Sequence, residues 1–447
     1  MTYLVATAAN RRGNLAKYNH GSLRLRKLPS VMQINSGAQL HDVHEHPQPL
    51  GADNEVGSLR TVLLHRPGAE LGRLTPSNNS SLLFDGLPWV ARAQEEHDRF
   101  AEVLRDRGVE VVYLAELLEQ VFDNIEARAL ATAPVISQRR LGHALRTVLV
   151  SHLEGLDPVK LVDTLVAGLA SDELPPSLSL VHKLMSPADF IIDPLPNLLF
   201  TRDSSFWLRN HVGISSFAMR ARQREASLLQ AIYRYHPRFS ATTQLYQPQL
   251  ELLEGGDVVL LGKGVIAIGV GERSTAAGAE RLAARVLRAK LCHTVLAVPI
   301  PVSRATMHLD TLATMVDRET LVTNGHTMQG LIAYPVRLNQ STDDGDAQIQ
   351  IGEVAPLLQA AAQALKIDAL RVIDTGGDRI VAEREQWDDG NNTLCLTPGT
   401  VVAYERNTKT IRKLETVGIE VIAIRGSELG SGRGGPRCMS CPIQRDA

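Results

Sequence analysis

A glycine-rich segment near the C-terminus leads to the residue with the clearest chemical potential, a cysteine. Gly426 to Gly435 contains five glycines in ten residues, and Cys438 follows. Glycine at this density favours a backbone that adopts positive φ and approaches a ligand closely. Arg433 and Arg437 precede the cysteine, and nearby cations raise the fraction of nucleophilic thiolate. The segment predicts a mobile active-site loop; the alternative is a frayed tail with an incidental thiol.

Acidic residues stand before apolar strand patterns elsewhere in the chain, and a histidine accompanies one of them. The acids are Asp203, Asp257 and Asp310. Glu254 precedes Asp257 across two glycines, and His308 precedes Asp310 by two positions. Because residues i and i+2 of a strand point to the same face, His308 and Asp310 are predicted to address one pocket.

A pocket that gathers Asp203, Glu254, His308 and Asp310 would be strongly anionic and would suit a planar cation. Carboxylates hold a guanidinium by paired, charge-assisted hydrogen bonds. A thiolate at Cys438 would be placed to attack the guanidinium carbon. His308 would give a proton to leaving ammonia and then take one from water, with Glu254 orienting its ring.

Three arginines cannot share the subsite of a cation and are therefore predicted to bind a carboxylate at the far end of the ligand. They are Arg222, Arg273 and Arg433. Together with the anionic pocket, they describe an amino acid that carries a guanidino group. A redox or metal role for Cys438 with Cys441 is the alternative for the thiol, although a single CxxC is weak evidence.

The elements that must position these residues repeat along the chain. Four segments, beginning at Arg202, Gly256, Leu309 and Asn391, each combine a polar residue, an apolar strand, a tight turn and a second apolar strand. With a strand–helix–strand unit at 59–112, they predict about five copies of one module sharing a core. A doubly wound sheet is the alternative, but frequent hairpins argue against an all-parallel sheet.

The rest of the chain divides into three predicted parts. Residues 1–52 lack a sustained apolar period and are predicted to be a disordered N-terminal extension, in spite of the histidine-rich stretch 41–46. Residues 53–447 are predicted to form the catalytic α/β part. Within it, residues 115–185 repeat apolar residues every three to four positions, which predicts an all-helical insertion.

Composition argues against several classes of partner and against a disulfide-stabilised fold. The 447 residues carry a net charge of −2 and only 4% aromatic residues, which argues against nucleic-acid and membrane partners. No apolar run is long enough for a membrane span, and the N-terminus lacks a signal-peptide pattern. Four cysteines are too sparse for a disulfide scaffold. We therefore expect a cytoplasmic protein with reduced thiols.

As a set, the motifs of this chain resemble the arginine deiminase family among the guanidino-group modifying enzymes. The resemblance runs in order from about residue 54 to the C-terminus. The matching motifs are Pro196–Asp203, Leu253–Asp257, Gly271–Arg273, Met307–Thr311 and Gly434–Cys441, with Leu74–Asn78 and Leu83–Asp85 nearer the N-terminus.

The resemblance implies a five-bladed, pseudo-symmetric α/β propeller with a helical insertion. It implies hydrolysis of L-arginine to L-citrulline and ammonia at C–N bonds of a linear amidine, with no metal and no cofactor, in a homo-oligomer (dimer or tetramer). It assigns Cys438 as a nucleophile that forms an amidino-thioether, His308 as general acid and base, and Glu254 as its partner. The remaining implied roles are guanidinium binding by Asp203 and Asp310, and binding of the α-amino and α-carboxylate end by Asn197, Arg222, Arg273 and Arg433.

Two departures from the family pattern stand out. About 50 residues at the N-terminus have no counterpart in the core pattern. Arg437 occupies the position before the nucleophile, where some relatives carry histidine, and this would change the thiol pKa. Agmatine deimination, amidino transfer, a non-catalytic arginine-binding protein and a papain-like thiol protease are the competing interpretations. A protease would need its cysteine early and its histidine late, the reverse of the order here.

The acidic surroundings of the thiol lead to one hypothesis beyond the resemblance. Anions disfavour a thiolate, so the pocket should raise the pKa of Cys438 in the empty enzyme. A bound guanidinium would lower this pKa again. We therefore hypothesise that the substrate assists ionisation of the thiol.

Overall fold

The computed structural model describes residues 50–339 and 348–447. The predicted disordered extension, with its histidine-rich stretch, lies almost wholly outside the described residues. Gly51 and Ala52 are described, and they hydrogen-bond to the catalytic part. The Gly51 amide donates to the Ile443 carbonyl at 2.8 Å, and the Arg209 amide donates to the Ala52 carbonyl at 2.6 Å. These hydrogen bonds join residues 51 and 52 to the rest of the described chain, and the domain boundary at residue 53 stays a prediction.

Strands and helices alternate through the described residues. The strands are β1 (Leu59–Leu64), β2 (Glu110–Tyr113), β3 (Leu169–Ala170), β4 (Phe190–Ile192), β5 (Ser205–Leu208), β6 (His211–Ile214), β7 (Thr243–Tyr246), β8 (Val258–Gly262), β9 (Val265–Val270), β10 (Thr294–Pro299), β11 (Ala313–Asp317), β12 (Thr320–Thr323), β13 (Ile332–Leu338), β14 (Ile349–Ile351), β15 (Ala355–Pro356), β16 (Arg371–Asp374), β17 (Leu394–Thr397), β18 (Thr400–Tyr404), β19 (Glu420–Ile424) and β20 (Cys441–Arg445). The helices are α1 (Val90–Asp106), α2 (Leu114–Val121), α3 (Ile125–Ile136), α4 (Gly142–Glu154), α5 (Pro158–Ala167), α6 (Leu180–Leu184), α7 (Thr201–Ser204), α8 (Glu225–Tyr235), α9 (Ala276–Arg288), α10 (Leu309–Leu312), α11 (Gly325–Met328), α12 (Leu357–Leu365), α13 (Arg379–Trp387) and α14 (Thr408–Thr416).

Five sheets repeat one arrangement, in which a first strand pairs antiparallel with a second and the second pairs parallel with a third. Four of them follow chain order: β5-β6-β7, β8-β9-β10, β11-β12-β16 and β17-β18-β19. β13 and β14 extend the second of these sheets. The mixed α/β class is confirmed, whereas the arrangement of the sheets as propeller blades stays a prediction.

The fifth sheet joins the two ends of the described chain. β20 pairs antiparallel with β1, and β1 pairs parallel with β2 across α1. The first module therefore takes its first strand from the C-terminus, which explains why the sequence shows no hairpin between residues 59 and 112. The nucleophile candidate Cys438 lies just before β20, at the same place that the acidic residues occupy before the first strands of other sheets.

Local sequence signals account for the boundaries of several elements. α1 buries Ala93, His97 and Phe100 on one face, and the chain leaves it through Gly108 at φ +77°. The hairpin of β8 and β9 turns at Lys263 and Gly264, which both have positive φ. Two adjacent residues with positive φ form the kind of turn that matches the twist of antiparallel strands.

Five helices, α2 to α6, fall within 114–184, where the sequence predicts a helical insertion. α5 begins with Pro158 after Asp157, whose carboxylate accepts a hydrogen bond from the Lys160 amide at 2.9 Å. The Asn124 side chain caps α3 in the same way. Treatment of this region as a separate insertion stays a prediction. Among the described residues, none of the helices combines the length and the hydropathy needed to cross a bilayer.

Candidate active site

The predicted acidic residues lie in single helical turns that come just before first strands. Asp203 lies in α7, Asp257 in a 3-10 turn at Gly255–Asp257, and Asp310 in α10. The expectation that His308 and Asp310 share a strand face is wrong: His308 is extended, and Asp310 lies within a helical turn. The helical turn leads directly into the strand and still brings His308 and Asp310 to one pocket.

Cys438 is held by the modules on either side of it. Its amide donates to Asn392 Oδ1 at 3.0 Å, and its carbonyl accepts from the Arg202 amide at 3.1 Å. The side chain is buried. These two hydrogen bonds fix the backbone on both sides of the thiol.

The glycines before Cys438 serve close packing. No glycine from 426 to 435 has a positive φ, so that expectation is wrong; Arg433, at φ +68°, is the residue in the left-handed region. A Cβ on Gly434 would lie 2.4 Å from the Phe200 ring and 3.0 Å from the Cys438 Cβ. A Cβ on Gly435 would lie 2.6 Å from a backbone carbonyl. Larger residues would therefore push the cysteine out of place.

Two aspartates face the thiol, and each keeps one oxygen without a partner. Cys438 Sγ donates to Asp310 Oδ2 at 3.4 Å. One oxygen each from Asp203 and Asp310 lies with Sγ in a set whose members are all within 4.8 Å of one another. Oδ1 of both aspartates is buried and has no hydrogen-bond partner. Buried carboxylate oxygens without partners are costly, so the site is built to receive a cation with donors.

His308 lies between two carboxylates. Its Nε2 is 2.8 Å from Glu254 Oε2, and its Nδ1 is 3.6 Å from Asp203 Oδ1. Gly256 permits this approach, because a Cβ there would lie 2.7 Å from both Asp203 Oδ1 and His308 Nδ1. The Glu254 carboxylate also accepts from the Ala218 amide at 3.2 Å, which fixes its position.

The electrostatic environment shifts the pKa values of the Cys438 thiol and the His308 imidazole away from their ordinary values. Burial raises the pKa of Cys438 far above its usual range; Asp310 and Asp203 raise it further, and Arg437 opposes them. Burial alone would lower the pKa of His308, but Asp203 and Glu254 outweigh it and raise the pKa to about 9. At neutral pH the unliganded site therefore holds a thiol and an imidazolium.

Two of the predicted carboxylate-binding arginines lie against Asp203 and Glu254. Arg222 Nη1 donates to Asp203 Oδ2 at 2.5 Å, and Arg273 Nη1 is 3.5 Å from Glu254 Oε2. The expectation that these arginines stay away from the cation's subsite is wrong. Carboxylates this deeply buried require counter-charges, and the arginines supply them on the side away from the free oxygens.

Asn197 and Arg433 contact residues outside the set formed by the thiol and the two aspartates. Asn197 Nδ2 donates to the Leu82 carbonyl at 2.7 Å, and its own carbonyl accepts from Arg222 Nη2 at 3.1 Å. The Arg433 guanidinium stacks 3.5 Å from the centre of the Trp387 ring and donates to the Trp387 carbonyl. Arg433 Nε is 3.8 Å from Asp85 Oδ2. Asn197 thus connects with the other predicted residues, and Arg433 lies to one side.

Comparisons with known proteins show which family the chain belongs to. The sequence profile of the arginine deiminase family matches residues 80–445. The chain belongs to the arginine deiminase family. Arginine deiminases of Mycobacterium marinum and Rhodococcus opacus are 55% identical to it, over 89% of this chain and 98% of each relative. The resemblance inferred from the motifs is confirmed.

The fold is shared with a more distant structure. The amidinotransferase SxtG of Microseira wollei, from a saxitoxin biosynthetic pathway, superposes with a TM-score of 0.53 at 14% identity. The match covers 89% of this chain and 98% of that protein. At this identity the likeness concerns the fold alone.

The structure also brings into this site Asn392, which the sequence analysis did not select, and Asp257, which it listed among the acids without giving it a role. Asn392 accepts from the Cys438 amide and donates to the Asp310 carbonyl at 3.1 Å. Asp257 accepts from the Leu309 amide at 2.9 Å and from Ser274 Oγ at 2.6 Å. Asn392 comes before the first strand of its module, as the aspartates do. This repeated position could have identified Asn392 as a site residue from the sequence.

The other cysteines have structural surroundings. Cys292 and Cys395 are buried among apolar core residues. Cys441 is also buried, and its thiol donates to the Ser205 carbonyl at 3.2 Å. The four cysteines are free thiols.

Proposed function

We propose that this protein hydrolyses L-arginine to L-citrulline and ammonia, with Cys438 as the nucleophile. The observation that carries the proposal is that Asp203 and Asp310, which each place an oxygen within 4.8 Å of the Cys438 thiol, each have a buried Oδ1 without a hydrogen-bond partner. A guanidinium supplies N–H donors in one plane, so it can satisfy both oxygens at once. Its central carbon would then lie beside Sγ. Membership of the arginine deiminase family supports the same substrate.

The first half of the proposed reaction forms a bond between sulfur and carbon. The guanidinium lowers the thiol pKa, the thiol proton passes to solvent water, and Sγ attacks the central carbon to give a tetrahedral adduct. His308, which enters as an imidazolium, gives its proton to one terminal nitrogen. That nitrogen departs as ammonia, and the C–N bond breaks. An amidino-thioether on Cys438 remains.

The second half releases the thiol. Water enters beside His308, which is now neutral and takes a proton from it as the oxygen attacks the thioether carbon. The S–C bond breaks, the departing sulfur takes the proton of the adduct's hydroxyl group and becomes the thiol again, and the carbon becomes the ureido carbonyl of citrulline. Glu254 keeps the imidazole in position through both halves. All groups in this scheme come from the chain, the substrate and water, so the rate is expected to persist in the presence of a metal chelator.

The amino-acid end of the substrate is assigned to four residues in this proposal: Asn197, Arg222, Arg273 and Arg433. Arg273 contacts Glu254 through Nη1, and its other N–H groups would bind the α-carboxylate. Arg222 donates through Nε and Nη2 to Glu225 and through Nη1 to Asp203, so only the second N–H of Nη1 would reach the α-carboxylate. Arg433 would approach by leaving its stacked position on Trp387. Agmatine has no α-carboxylate, so these arginines favour L-arginine as the substrate.

At the level of the fold, we propose that the five repeated sheets are the blades of a pseudo-symmetric propeller. The repeated position of Asp203, Glu254, Asp310, Asn392 and Cys438, each just before a first strand, supports this arrangement. The helical insertion at 115–185, a cytoplasmic location and assembly into a homo-oligomer remain predictions.

Product formation tests the proposed function. Wild-type protein is expected to release citrulline and ammonia in equal amounts from L-arginine, and Cys438→Ala is expected to release neither. Cys441→Ala is the matched control, because its thiol is equally buried and is bonded away from the pocket; it should retain activity. Activity in Cys438→Ala, or no turnover by wild type, would refute the proposal.

Arg273→Ala tests whether this arginine binds the α-carboxylate that L-arginine has and decarboxylated substrates lack. Loss of a charge-assisted bond to the α-carboxylate should raise KM for L-arginine by about tenfold or more. The low activity expected with agmatine should change much less. Equal changes for the two substrates would contradict carboxylate binding by this arginine.

A further inference from the structure

A single buried carboxylate, Glu55, lies behind the proposed substrate site. It belongs to the segment before β1, far from the other site residues in sequence. Its Oε1 accepts from Arg437 Nη2 at 2.8 Å, and its Oε2 accepts from Arg437 Nε at 3.3 Å. The Leu260 amide donates to Oε1 at 3.3 Å. The Glu55 carboxylate therefore binds the Nε and Nη2 edge of the Arg437 guanidinium.

Glu55 is also close to a second arginine. Arg202 Nη1 lies 3.7 Å from Glu55 Oε2. Arg202 and Arg437 directly precede Asp203 and Cys438 in sequence, so one carboxylate supports the residues beside two proposed site groups. Burial raises the pKa of Glu55, but Arg437 and Arg202 outweigh it and lower the pKa to about 2. Glu55 is therefore ionised at any pH at which the protein works.

The other edge of the Arg437 guanidinium reaches the site. Nη1 donates to Asp310 Oδ2 at 2.7 Å, while Nη2 also donates to the Val258 carbonyl at 3.1 Å. Asp310 Oδ1 is left without a partner. Arginine tends to bind a carboxylate through two parallel hydrogen bonds. Here Glu55 holds Nε and Nη2, so Arg437 can offer Asp310 only one nitrogen.

We infer that Glu55 is a positioning residue for guanidinium recognition: by holding Arg437, it limits Arg437 to one oxygen of Asp310 and reserves the other for the substrate. The inference rests on the proposed function, because it takes Asp310 Oδ1 as a ligand of the substrate guanidinium. Without the charge of Glu55, Arg437 would turn its fork toward Asp310 and compete with the substrate for both oxygens.

The test compares two ligands in a protein that cannot turn over. Cys438→Ala is the parent, and titration calorimetry gives its Kd for L-arginine and for L-citrulline. Glu55→Gln in this parent should weaken L-arginine binding by between about tenfold and a hundredfold, the scale expected for a misplaced binding group. L-citrulline has an uncharged ureido group and should bind with nearly unchanged affinity. A merely structural role for Glu55 would affect both ligands equally.

A matched substitution controls for the loss of a buried carboxylate. Glu70 is also buried and contacts His65 Nε2 and the Gly68 amide, away from the site. Glu70→Gln should leave the ratio of the two Kd values unchanged. Should Glu55→Gln unfold, Arg437→Lys tests the same link, because an ammonium cannot bridge Glu55 and Asp310 as a fork does; it should lower the preference for L-arginine.

The outcomes are distinct. Selective loss of L-arginine affinity supports the inference. If Glu55→Gln keeps the parent's preference for L-arginine over L-citrulline, the inference is overturned and the proposed function stays intact. The same holds for Arg437→Lys if Glu55→Gln does not fold. Failure of the Cys438→Ala parent itself to bind L-arginine would instead refute the proposed function and this inference together.

Discussion

Each of the two aspartates beside Cys438 gives one oxygen to an arginine of the protein and keeps the other without a hydrogen-bond partner, although Asp203 Oδ1 lies 3.6 Å from His308 Nδ1. Arg222 takes Asp203 Oδ2, and Arg437 takes Asp310 Oδ2. This division reconciles two needs: the arginines stabilise buried negative charge, and the free oxygens retain affinity for a guanidinium. The residue types predicted this chemistry. The pairings depend on contacts between residues that are far apart in sequence, so the local sequence does not reveal them.

The thiol of the unliganded enzyme should ionise only at high pH. Burial and the neighbouring aspartates raise the pKa of Cys438 well above its ordinary value. The measurement is the ultraviolet absorbance of the thiolate against pH, taken as the difference between wild type and Cys438→Ala. A pKa below about 6.5 in the free enzyme would refute substrate-assisted ionisation.

The imidazolium sets the alkaline side of the activity profile. His308 has a pKa raised to about 9, so it is protonated below that pH and neutral above it. A neutral imidazole cannot give a proton to leaving ammonia. We therefore expect kcat/KM, which reports groups of the free enzyme, to fall as pH rises through about 9. An alkaline limb that begins near pH 6.5 would mean that the carboxylates do not raise the pKa of His308.

Short turns and hairpins place the site at the scale of elements. The sequence located the hairpins to within a few residues, because alternating apolar strands and turn residues are local signals. It did not predict the single helical turns at α7 and α10, since four residues are too few for helical periodicity. It also assigned the glycines before Cys438 to positive φ, whereas the structure uses them for contact with Phe200 and Asn392.

Gly434→Ala tests this packing role. The new methyl group would clash with the Phe200 ring and crowd Cys438, so kcat/KM should fall by about a hundredfold. Gly377→Ala is the control, because a Cβ there meets nothing within 4 Å. Full activity in Gly434→Ala would show that the segment accommodates the methyl group and that close packing does not position the thiol.

Closure of the fifth sheet by β20 links the stability of the whole molecule to its site. Cys438 is followed within three residues by a strand that pairs with β1, near the start of the described chain. Pairing between segments about 380 residues apart has no local signature, which is why the sequence left the first module incomplete. Loss of packing on β20 should therefore affect folding and catalysis together.

Ile443→Ala measures this link. Ile443 is fully buried on β20, and truncation of such a side chain costs about 2–5 kcal/mol. Denaturant unfolding should show this loss, and activity should fall at lower denaturant than in wild type. Val159→Ala, at a side chain that is 51% exposed, is the control and should change stability little. Equal stability of both variants would argue against a contribution of β20 packing to the stability of the fold.

The covalent intermediate is the most direct test of the central claim, attack by Cys438 on a guanidinium held by two aspartates. Wild-type protein is mixed with excess L-arginine, quenched in acid within one turnover, and digested for mass spectrometry. We predict that the peptide containing Cys438 gains the mass of arginine less ammonia, and that Asp310→Asn accumulates far less of this adduct. Turnover with no adduct on Cys438, or with the adduct on Cys441, would contradict the account.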